Sequence, residues 1–266
     1  MNEINSKNNI KIKDLVKLRD DSKFRNDKSL FYVEGERLIN DSPKELIDSI
    51  YIQKSKINNF SSIINKFSED NIYIINDDAF EKIKDTINSQ GIVGIVKYNI
   101  LKNIDKTFLN KINSCLILNN ISDPGNLGTI IRLAEATNIS LIILSKDCCN
   151  VYNTKVIRSC MSSIFRTNIF ISNDILSDIG ILKKNNFSIY ATVLDSDSKH
   201  FNKINYENKS AFVFGNEANG IDDNIIKISD EKLFIPMCGE IQSLNVAISA
   251  TVICYEHMRQ NNYYEA

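Results

Sequence analysis

Proline and glycine are scarce in this sequence of 266 residues, with three and nine copies respectively. That scarcity disfavours collagen-like, repeat-loop and linker-rich architectures. No apolar run approaches the roughly 20 residues that a helix needs to cross a bilayer. The N-terminal residues MNEINSKNNIKIKD also lack the apolar core of a signal peptide. We therefore expect a cytoplasmic protein with no membrane segment.

Clustered metal ligands are missing as well. The six cysteines form no C-x-x-C pair, and there are only two histidines. A structural zinc site needs four ligands at local spacing, so we expect no metal site. The cysteines are interpreted as reduced and mostly buried thiols.

A large charge of one sign is also lacking, because the formal net charge is −1. The charge is nevertheless uneven: eight Lys and Arg residues but four Asp residues lie between Lys7 and Lys28. A basic arm on a neutral protein can contact phosphate backbones, whereas a solvated helix face has the same composition. Charge alone leaves both interpretations open.

The sequence does contain a regular alternation of strand-like and helix-like segments. In residues 1–100, strands such as SLFYVEG and NIYIIN alternate with helical segments such as IKDLVKLRD, which predicts a layered α/β domain. The polar stretch over residues 101–112 is predicted to be a linker. In residues 113–266, strands such as SCLILN, SLIILS and SAFVF are continuously apolar, which is typical of a buried parallel sheet.

The segment LNNISDPGNLGTIIRLAEA carries the first candidate site residues. It predicts a strand, a polar turn and then a helix. Asn126, near the helix start, can cap the helix. Arg132 could lean back towards the same end, because helical side chains tilt N-terminally. Together they would offer amide, helix-dipole and guanidinium contacts to an anion; a capped helix with one surface arginine is the alternative.

Polar side chains also follow a predicted buried strand in AFVFGNEANGID. The strand stops at Gly215, and Glu217 lies in the turn before Gly220. Ile-Asp follows Gly220 where a phosphate-binding loop requires Lys-Ser/Thr, and G-x-G-x-x-G is absent, so NTPase and dinucleotide-binding functions have no support. Loops at strand ends are where α/β sheets bind ligands; a simple tight turn is the alternative.

The third segment is IPMCGEIQSLNVAISA. The predicted strand KLFIP ends at Pro236, and Ser243 is predicted to cap a final helix that begins at Leu244 and runs to about Met258. That helix is apolar on nearly all sides, which indicates burial on nearly all sides. One domain face cannot supply such burial, so we expect a subunit interface as a second cover.

Taken in this order, the three segments resemble one family. NxxDPxNxGxxxR, FGNEANGI and IPMxGxxxSLNVAxS are similar to the three motifs of the SpoU (TrmH) RNA ribose 2′-O-methyltransferases of the SPOUT superfamily, and the resemblance extends from Leu118 to about Tyr255. KVIRSCMSSIFR resembles a further segment of that family, with Ser162-Ser163 where Gly-Ala is usual, which leaves the role of Arg158 open. RNDKSLFYVEGERLI resembles the RNA substrate-binding domain, similar to small ribosomal proteins, that precedes the catalytic domain in ribosomal-RNA members.

The resemblance implies a fold, a cofactor and an assembly. It implies an α/β SPOUT domain over residues 113–266, with a deep trefoil knot around a parallel sheet, preceded by a smaller α/β RNA-binding domain. It implies S-adenosylmethionine as the cofactor, bound largely by backbone groups, and a homodimer formed through the knot and the final helix. The cofactor-binding residues that it implies are Thr192, Gly215, Ile235 and Leu244.

The implied reaction moves a methyl group from a sulfonium to a ribose 2′-oxygen, which requires aligned reactants and donors aimed at developing negative charge. The catalytic residues that the resemblance implies are Arg132, Glu217, Asn126, Ser243 and Asn245. Arg132 is expected to orient the 2′-oxygen and the adjacent phosphate, because a guanidinium stays protonated at ordinary pH. The general base is left open between Glu217 and a water that it holds. The other three residues would position the ribose and the loop.

Three functions remain in view. The resemblance of the N-terminal domain favours methylation of ribosomal RNA. Methylation of transfer RNA is one alternative, and a non-catalytic knotted RNA-binding protein is the other. The intact polar residues of the three motifs argue against the non-catalytic alternative.

Overall fold

The computed structural model describes residues 1–241 and 243–261. Within that part of the chain, two compact units are found. The first contains Met1–Asn99 and Tyr152–Phe165, and the second contains Ile100–Val151 and the chain from Arg166 onward. The segment Tyr152–Phe165 falls within the predicted domain 113–266, yet it packs in the first unit.

Strands and helices alternate along both units, as the sequence predicts. The strands are β1 (Asn2–Ile4), β2 (Leu30–Glu34), β3 (Ile47–Gln53), β4 (Ile72–Ile75), β5 (Ile92–Lys97), β6 (Ser114–Leu118), β7 (Leu141–Ser145), β8 (Ile169–Ser172), β9 (Ser188–Thr192), β10 (Lys199–His200), β11 (Ser210–Phe214) and β12 (Glu231–Phe234). The α-helices are α1 (Ile10–Asp20), α2 (Ser22–Lys28), α3 (Glu36–Asp41), α4 (Ser61–Lys66), α5 (Asp77–Ile83), α6 (Lys106–Leu109), α7 (Pro124–Ala136), α8 (Thr154–Cys160), α9 (Ile175–Lys184), α10 (Asp223–Ile228) and α11 (Val246–Gln260). Short 3₁₀ segments are Lys44–Leu46, Lys54–Phe60, Glu69–Asn71, Met161–Phe165 and Phe201–Lys203.

The first unit is built on a mixed five-stranded sheet with the order β1-β4-β3-β5-β2. Strands β1, β4 and β3 are parallel to one another, whereas β5 is antiparallel to both β3 and β2. Helix α1 packs on one face of this sheet through Ile12, Leu15 and Leu18, which lie at helical spacing and share a core with residues of β4 and β5. The predicted layered α/β arrangement is therefore confirmed.

The cations of the N-terminal arm divide into two groups. Arg25 is 2% exposed and donates hydrogen bonds to the carbonyl oxygens of Leu18 and Arg19 at 2.9 and 3.0 Å. Arg19 in turn donates to the carbonyl oxygens of Lys82 and Lys84 at 3.0 and 2.7 Å. The two arginines therefore hold the fold together. The exposed cations are Lys7, Lys11, Lys13, Lys17, Lys23 and Lys28.

The segment Tyr152–Phe165 is held in the first unit by an aromatic stack and an ion pair. The ring of Tyr152 stacks on that of Phe31, with centroids 4.2 Å apart. Arg158, on α8, forms an ion pair with Asp85. Arg158 therefore has a structural partner within the first unit.

The second unit contains a seven-stranded sheet with the order β10-β12-β9-β11-β6-β7-β8. Every strand pairing in it is parallel, as predicted. Strands β6, β7 and β11 are buried at every position, which explains why their sequences are continuously apolar. Because all seven strands run in the same direction, their carboxyl ends meet at one edge of the sheet.

The predicted linker over residues 101–112 is packed in the second unit. Ile104, Leu109 and Ile112 are buried in its core, and Leu101 pairs with Phe170 of β8. The polar residues that suggested a linker lie between these apolar anchors.

The final helix begins later than predicted. Asn245, not Ser243, is the N-cap of α11, and its side-chain oxygen accepts hydrogen bonds from two backbone N–H groups of the first turn at 2.9 and 3.4 Å. One side of the helix is buried, whereas Ile248 and Tyr255 are 53% and 45% exposed. Its apolar residues are therefore not all covered within one chain. Across residues 1–241 and 243–261, neither α11 nor any other helix is long and apolar enough to cross a membrane.

Candidate functional site

A cavity of about 460 Å³, the first cavity, opens at the carboxyl edge of the parallel sheet. Its walls come from the ends of β9, β11 and β12, from the loops after β11 and β12, and from the start of α11. The four predicted cofactor-binding residues all line it: Thr192, Gly215, Ile235 and Leu244. Ligands of parallel α/β sheets bind at this edge.

Ile235 differs in detail from the prediction, and Thr192 has a partner within the fold. Strand β12 ends at Phe234, so Ile235 and Pro236 of the predicted strand KLFIP lie in the loop that follows. Thr192 donates its hydroxyl to the carbonyl oxygen of Val213 at 2.8 Å. That bond joins β9 to β11 at the base of the cavity.

Residues 215–222, the β11 loop, form one wall of the first cavity through a tight reversal. Asn216 and Gly220 exchange two backbone hydrogen bonds of 2.9 Å. A Cβ atom on Gly215 would lie 2.2 Å from the carbonyl carbon of Gly220, so no side chain fits there. Gly220 has a φ of +70°, which favours glycine. Both glycines are therefore required by the geometry of the turn.

Buried amide contacts tie the β11 loop to the turn after β6. Asn216 donates its side-chain amide to the carbonyl oxygen of Asn120 at 2.8 Å. Asn119 donates to the carboxylate of Asp222 at 3.0 Å and accepts from the Asp222 backbone N–H at 2.9 Å. Asn119, Asn120 and Asp222 were not predicted to be site residues. The polar pair Asn119-Asn120 directly after a buried strand was the signal available in the sequence.

Three predicted catalytic residues are joined by hydrogen bonds, and two of them, Glu217 and Asn245, line the first cavity. Asn126 donates its side-chain amide to the Glu217 carboxylate at 2.5 Å. Asn245 donates to the side-chain oxygen of Asn126 at 3.0 Å. This series of hydrogen bonds, called the Asn245–Asn126–Glu217 chain, orients the Glu217 carboxylate. Its two amide side chains come from α7 (Asn126) and from the N-cap of α11 (Asn245). Charge-assisted bonds of this kind are stronger than neutral ones.

Asn126 is free for this contact because it is not the helix cap that the sequence predicted. Asp123 is the N-cap of α7, and its carboxylate accepts the backbone N–H of Asn126 at 2.8 Å. Pro124 occupies the first helical position, where a missing N–H costs nothing. The side chain of Asn126 can therefore reach across to Glu217.

The other two predicted catalytic residues are placed differently. Ser243 lines the first cavity and is exposed. Arg132 is exposed on α7 and lies outside the lining of that cavity. The structure therefore joins Asn126, Glu217 and Asn245 by hydrogen bonds and places Ser243 on the same cavity. Arg132 is on the helix that carries Asn126, and its role stays a prediction.

Two cysteines follow β7 near this edge of the sheet. Burial raises the pKa of Cys149 to about 12, and burial also raises the pKa of Cys148. Cys148 donates to the carbonyl oxygen of Leu118 at 3.3 Å. Both thiols are protonated at ordinary pH, which argues against a thiolate nucleophile here.

The residues of the first cavity fit S-adenosylmethionine. Its volume lies within the roughly 300–1,000 Å³ that is usual for ligand pockets. Apolar side chains such as Phe214, Leu233 and Ile253 alternate with strand-end backbone groups, which suits a neutral adenine. No Lys or Arg is among the described lining residues, whereas Glu217 is. That charge balance disfavours a phosphate and favours a cationic sulfonium.

The side chains that could bind a metal ion are not clustered in the described residues. Across the described part of the chain, no group of three or more His, Cys, Asp or Glu side chains is arranged to hold a metal ion.

Comparisons with known proteins show which family the chain resembles along its length. A profile of the SpoU rRNA methylase family matches residues 113–255, and a profile of the MRM3-like substrate binding domain matches residues 9–94. The 23S rRNA (guanosine(2553)-2′-O)-methyltransferase RlmP of Bacillus subtilis is 29% identical over 231 residues, which are 86% of this chain and 88% of that protein.

Two further relatives extend the comparison. The tRNA (guanosine(18)-2′-O)-methyltransferase of Thermus thermophilus is 29% identical over 147 residues, which are 54% of this chain and 74% of that protein. The crystal structure of an AdoMet-bound rRNA methyltransferase from Sinorhizobium meliloti superposes with a TM-score of 0.82 at 25% identity, covering 97% of both chains. With a family match over more than half its length, the chain belongs to the SpoU rRNA methylase family.

Proposed function

We propose that this protein methylates the 2′-oxygen of a ribose in RNA, with S-adenosylmethionine as the methyl donor and ribosomal RNA as the substrate. The observation that carries the proposal is the Asn245–Asn126–Glu217 chain, two residues of which line a cavity that suits a sulfonium. The relatives RlmP and the Sinorhizobium enzyme, which match nearly the whole chain, are named for ribosomal RNA.

When bound, S-adenosylmethionine supplies an electrophilic methyl group. The strand-end backbone around Gly215, Ile235 and Leu244 would hold its adenosine portion. Glu217 would accept the 2′-hydroxyl proton, directly or through a water, as the oxygen attacks the methyl carbon and the carbon–sulfur bond breaks. Asn126 keeps the Glu217 carboxylate oriented towards that proton.

Arg132 would act on the RNA from outside the first cavity. Its exposed guanidinium projects from α7, the helix that also carries Asn126. A guanidinium there can bind a phosphate next to the reacting ribose through two parallel hydrogen bonds. Ser243, on the cavity lining, would contact the ribose or the cofactor.

The proposal includes a knotted second unit and a homodimer. The exposed apolar residues of α11, Ile248 and Tyr255, support an interface between two copies of this helix. The first unit would bind the RNA substrate, which its match to a substrate-binding profile supports. Ribosomal RNA as the substrate would place the protein in the cytoplasm.

Incubation with radiolabelled S-adenosylmethionine and RNA tests the proposal. Unmodified ribosomal RNA and transfer RNA are supplied separately to the full chain. The full chain is used because deletion of residues 1–100 would leave Tyr152–Phe165 without the rest of the first unit. Label in ribosomal RNA, resistant to alkaline hydrolysis as a 2′-O-methyl linkage, is the expected result. Label in transfer RNA alone would support the Thermus-like alternative. No label in either RNA, together with no calorimetric cofactor binding, would instead support a non-catalytic RNA-binding protein.

A further inference from the structure

Ser145 is a buried polar residue at the end of an apolar strand. It is the last residue of β7, where residues 141–144 are all apolar, and it is 6% exposed. A hydroxyl group at that depth needs hydrogen-bond partners within the fold. The Ser145 hydroxyl makes two hydrogen bonds with one residue, Asn120, in the turn after β6. It accepts from the backbone N–H of Asn120 and donates to its side-chain oxygen, both at 2.9 Å.

The backbone of Asn120 has an uncommon conformation. Its φ is +60°, in the left-handed region, which a residue with a Cβ atom disfavours although asparagine tolerates it better than most. The two bonds from Ser145 hold Asn120 in that conformation. The residues after β7 add a further bond to the same turn, because the backbone N–H of Cys149 donates to the carbonyl oxygen of Ile121 at 2.9 Å. The end of β7 therefore fixes the turn after β6.

Asn120 is connected to the β11 loop through Asn216. The carbonyl oxygen of Asn120 accepts the side-chain amide of Asn216 at 2.8 Å. The side-chain oxygen of Asn216 accepts the backbone N–H groups of Ala218 and Asn219 at 2.9 and 3.2 Å. These are the two residues that directly follow Glu217. One asparagine side chain therefore ties the turn after β6 to the backbone that carries Glu217.

We propose that Ser145 is a positioning residue for Glu217, an inference that rests on the proposed function. Ser145 holds Asn120, Asn120 holds Asn216, and Asn216 holds the backbone around Glu217. A carboxylate that accepts a proton must stay within hydrogen-bond reach of it, and small displacements of reacting groups are costly. Ser145 lies outside the described lining of the first cavity. Its loss should therefore lower the rate of methyl transfer and leave cofactor affinity unchanged.

The kinetic test compares two buried serines that each end a strand of the same sheet. Ser145→Ala should lower kcat about tenfold at saturating cofactor and RNA, with KM for RNA and cofactor affinity unchanged. Ser172→Ala is the matched control, because Ser172 ends β8, is 1% exposed and donates its hydroxyl to Asp178 on α9. It should keep the native kcat. Equal losses of kcat in the two variants, or an unchanged kcat in Ser145→Ala, would overturn the inference.

A double-mutant cycle tests whether Ser145 acts through Glu217. In a Glu217→Gln background, Ser145→Ala should change the single-turnover rate less than about twofold, because the carboxylate that it positions is already absent. A further tenfold loss in that background would show that Ser145 acts on some other group, and would refute the positioning role.

Hydrogen exchange separates the inference from catalysis. The exchange of the Ala218 and Asn219 backbone amides, followed by NMR, should be about tenfold faster in Ser145→Ala than in the native chain and unchanged in Ser172→Ala. Asn120→Gly is a second variant, since glycine adopts a φ of +60° without strain and keeps the carbonyl that Asn216 contacts. It loses the side-chain bond to Ser145 and should also speed the exchange.

Unchanged exchange in both Ser145→Ala and Asn120→Gly would refute the connection from Ser145 to Glu217, even if the native chain methylates RNA. Absence of RNA methylation by the native chain, with the exchange responding as expected, would count against the proposed reaction and leave the connection in place.

Discussion

The first cavity has two unlike walls, the β11 loop and the β12 loop (the described residues 235–241 and 243–244). The β11 loop is closed by a backbone bridge and tied to the turn after β6 by Asn216 and Asp222. In the β12 loop, residues 236, 238–241 and 243 are exposed, and Ile241 is 60% exposed. The carboxylate of Glu217, the proposed proton acceptor, therefore lies on the preorganised wall.

The largest expected effect is on the carboxylate of the β11 loop. Glu217→Gln should lower the single-turnover methyl transfer rate about 100-fold or more, because it removes the proton acceptor. Cofactor affinity by calorimetry should change little. Glu240→Gln, in the β12 loop, is the matched variant and should keep most of the rate. Equal losses in the two variants would mean that Glu217 has no special role.

Paired glycine substitutions test the difference in rigidity. Gly215→Ala puts a Cβ atom 2.2 Å from the Gly220 backbone, whereas a Cβ on Gly239 of the β12 loop meets nothing within 4 Å. We expect Gly215→Ala to lower the free energy of unfolding by about 2 kcal/mol and to weaken cofactor binding. Gly239→Ala should change neither. Urea denaturation and calorimetry measure both quantities, and similar behaviour of the two variants would contradict the contrast between the walls.

A smaller effect is expected at the buried amide below the β11 loop. Asn119 is 1% exposed, and Asn119→Ala removes both of its bonds to Asp222. The free energy of unfolding should fall by about 1.5 kcal/mol, and kcat should fall because Glu217 is held less firmly. Exposed Asn202→Ala is the control. If Asn119→Ala and Asp222→Ala have additive effects in a double-mutant cycle, the two side chains are not coupled.

A pH dependence of stability is expected at His257, on the helix that follows the β12 loop. His257 of α11 packs against Phe212 of β11, with ring centroids 5.2 Å apart. Burial lowers the pKa of His257 from 6.5 to about 4. The unfolded chain therefore binds more protons than the folded one between these values. Stability should be complete above pH 6.5 and should fall by about 1.4 kcal/mol for each pH unit below it, until about pH 4.

Denaturation curves between pH 7 and pH 5 check this dependence, with His257→Phe as the test variant. His257→Phe should flatten the slope. His200→Gln, which changes the other histidine, should leave it in place. A native slope that survives in His257→Phe would assign the pH dependence to other groups.

Much of the fold could be predicted from the sequence because the strands of the second unit are buried on both faces. Continuous apolar runs as short as Ser210–Phe214 fit few structures besides a strand buried on both sides. Helix starts were less predictable, since Asp, Asn and Ser side chains compete for the cap. Asn76 caps α5, where Asp77 or Asp78 also fits the pattern, and Asn245 caps α11 in place of Ser243. The short strands β1 and β10 lack enough residues for a pattern.

The sequence motifs identify some residues of the candidate site, but they do not show which residues are brought together by tertiary contacts. Glu217, Asn126 and Asn245 come together as the motif order implied. The pairing of Asn119 with Asp222 joins residues 103 positions apart, and no local pattern records it. The exposure of Arg132 outside the first cavity likewise depends on the direction of α7, which spacing alone does not determine.

Tyr152–Phe165 packs in the first unit although it follows β6 and β7 of the second unit in the sequence, and this has a consequence for biosynthesis. Phe31 gains the Tyr152 ring as a stacking partner only after two strands of the other unit, β6 and β7, have been made. At about 5–20 residues per second, the ribosome needs roughly 3–13 s to extend the chain from Asn99 to Phe165. Until then the first unit has an uncovered apolar face. The two units must therefore finish folding in an interleaved order, and a nascent chain stalled in this interval would be a substrate for chaperones.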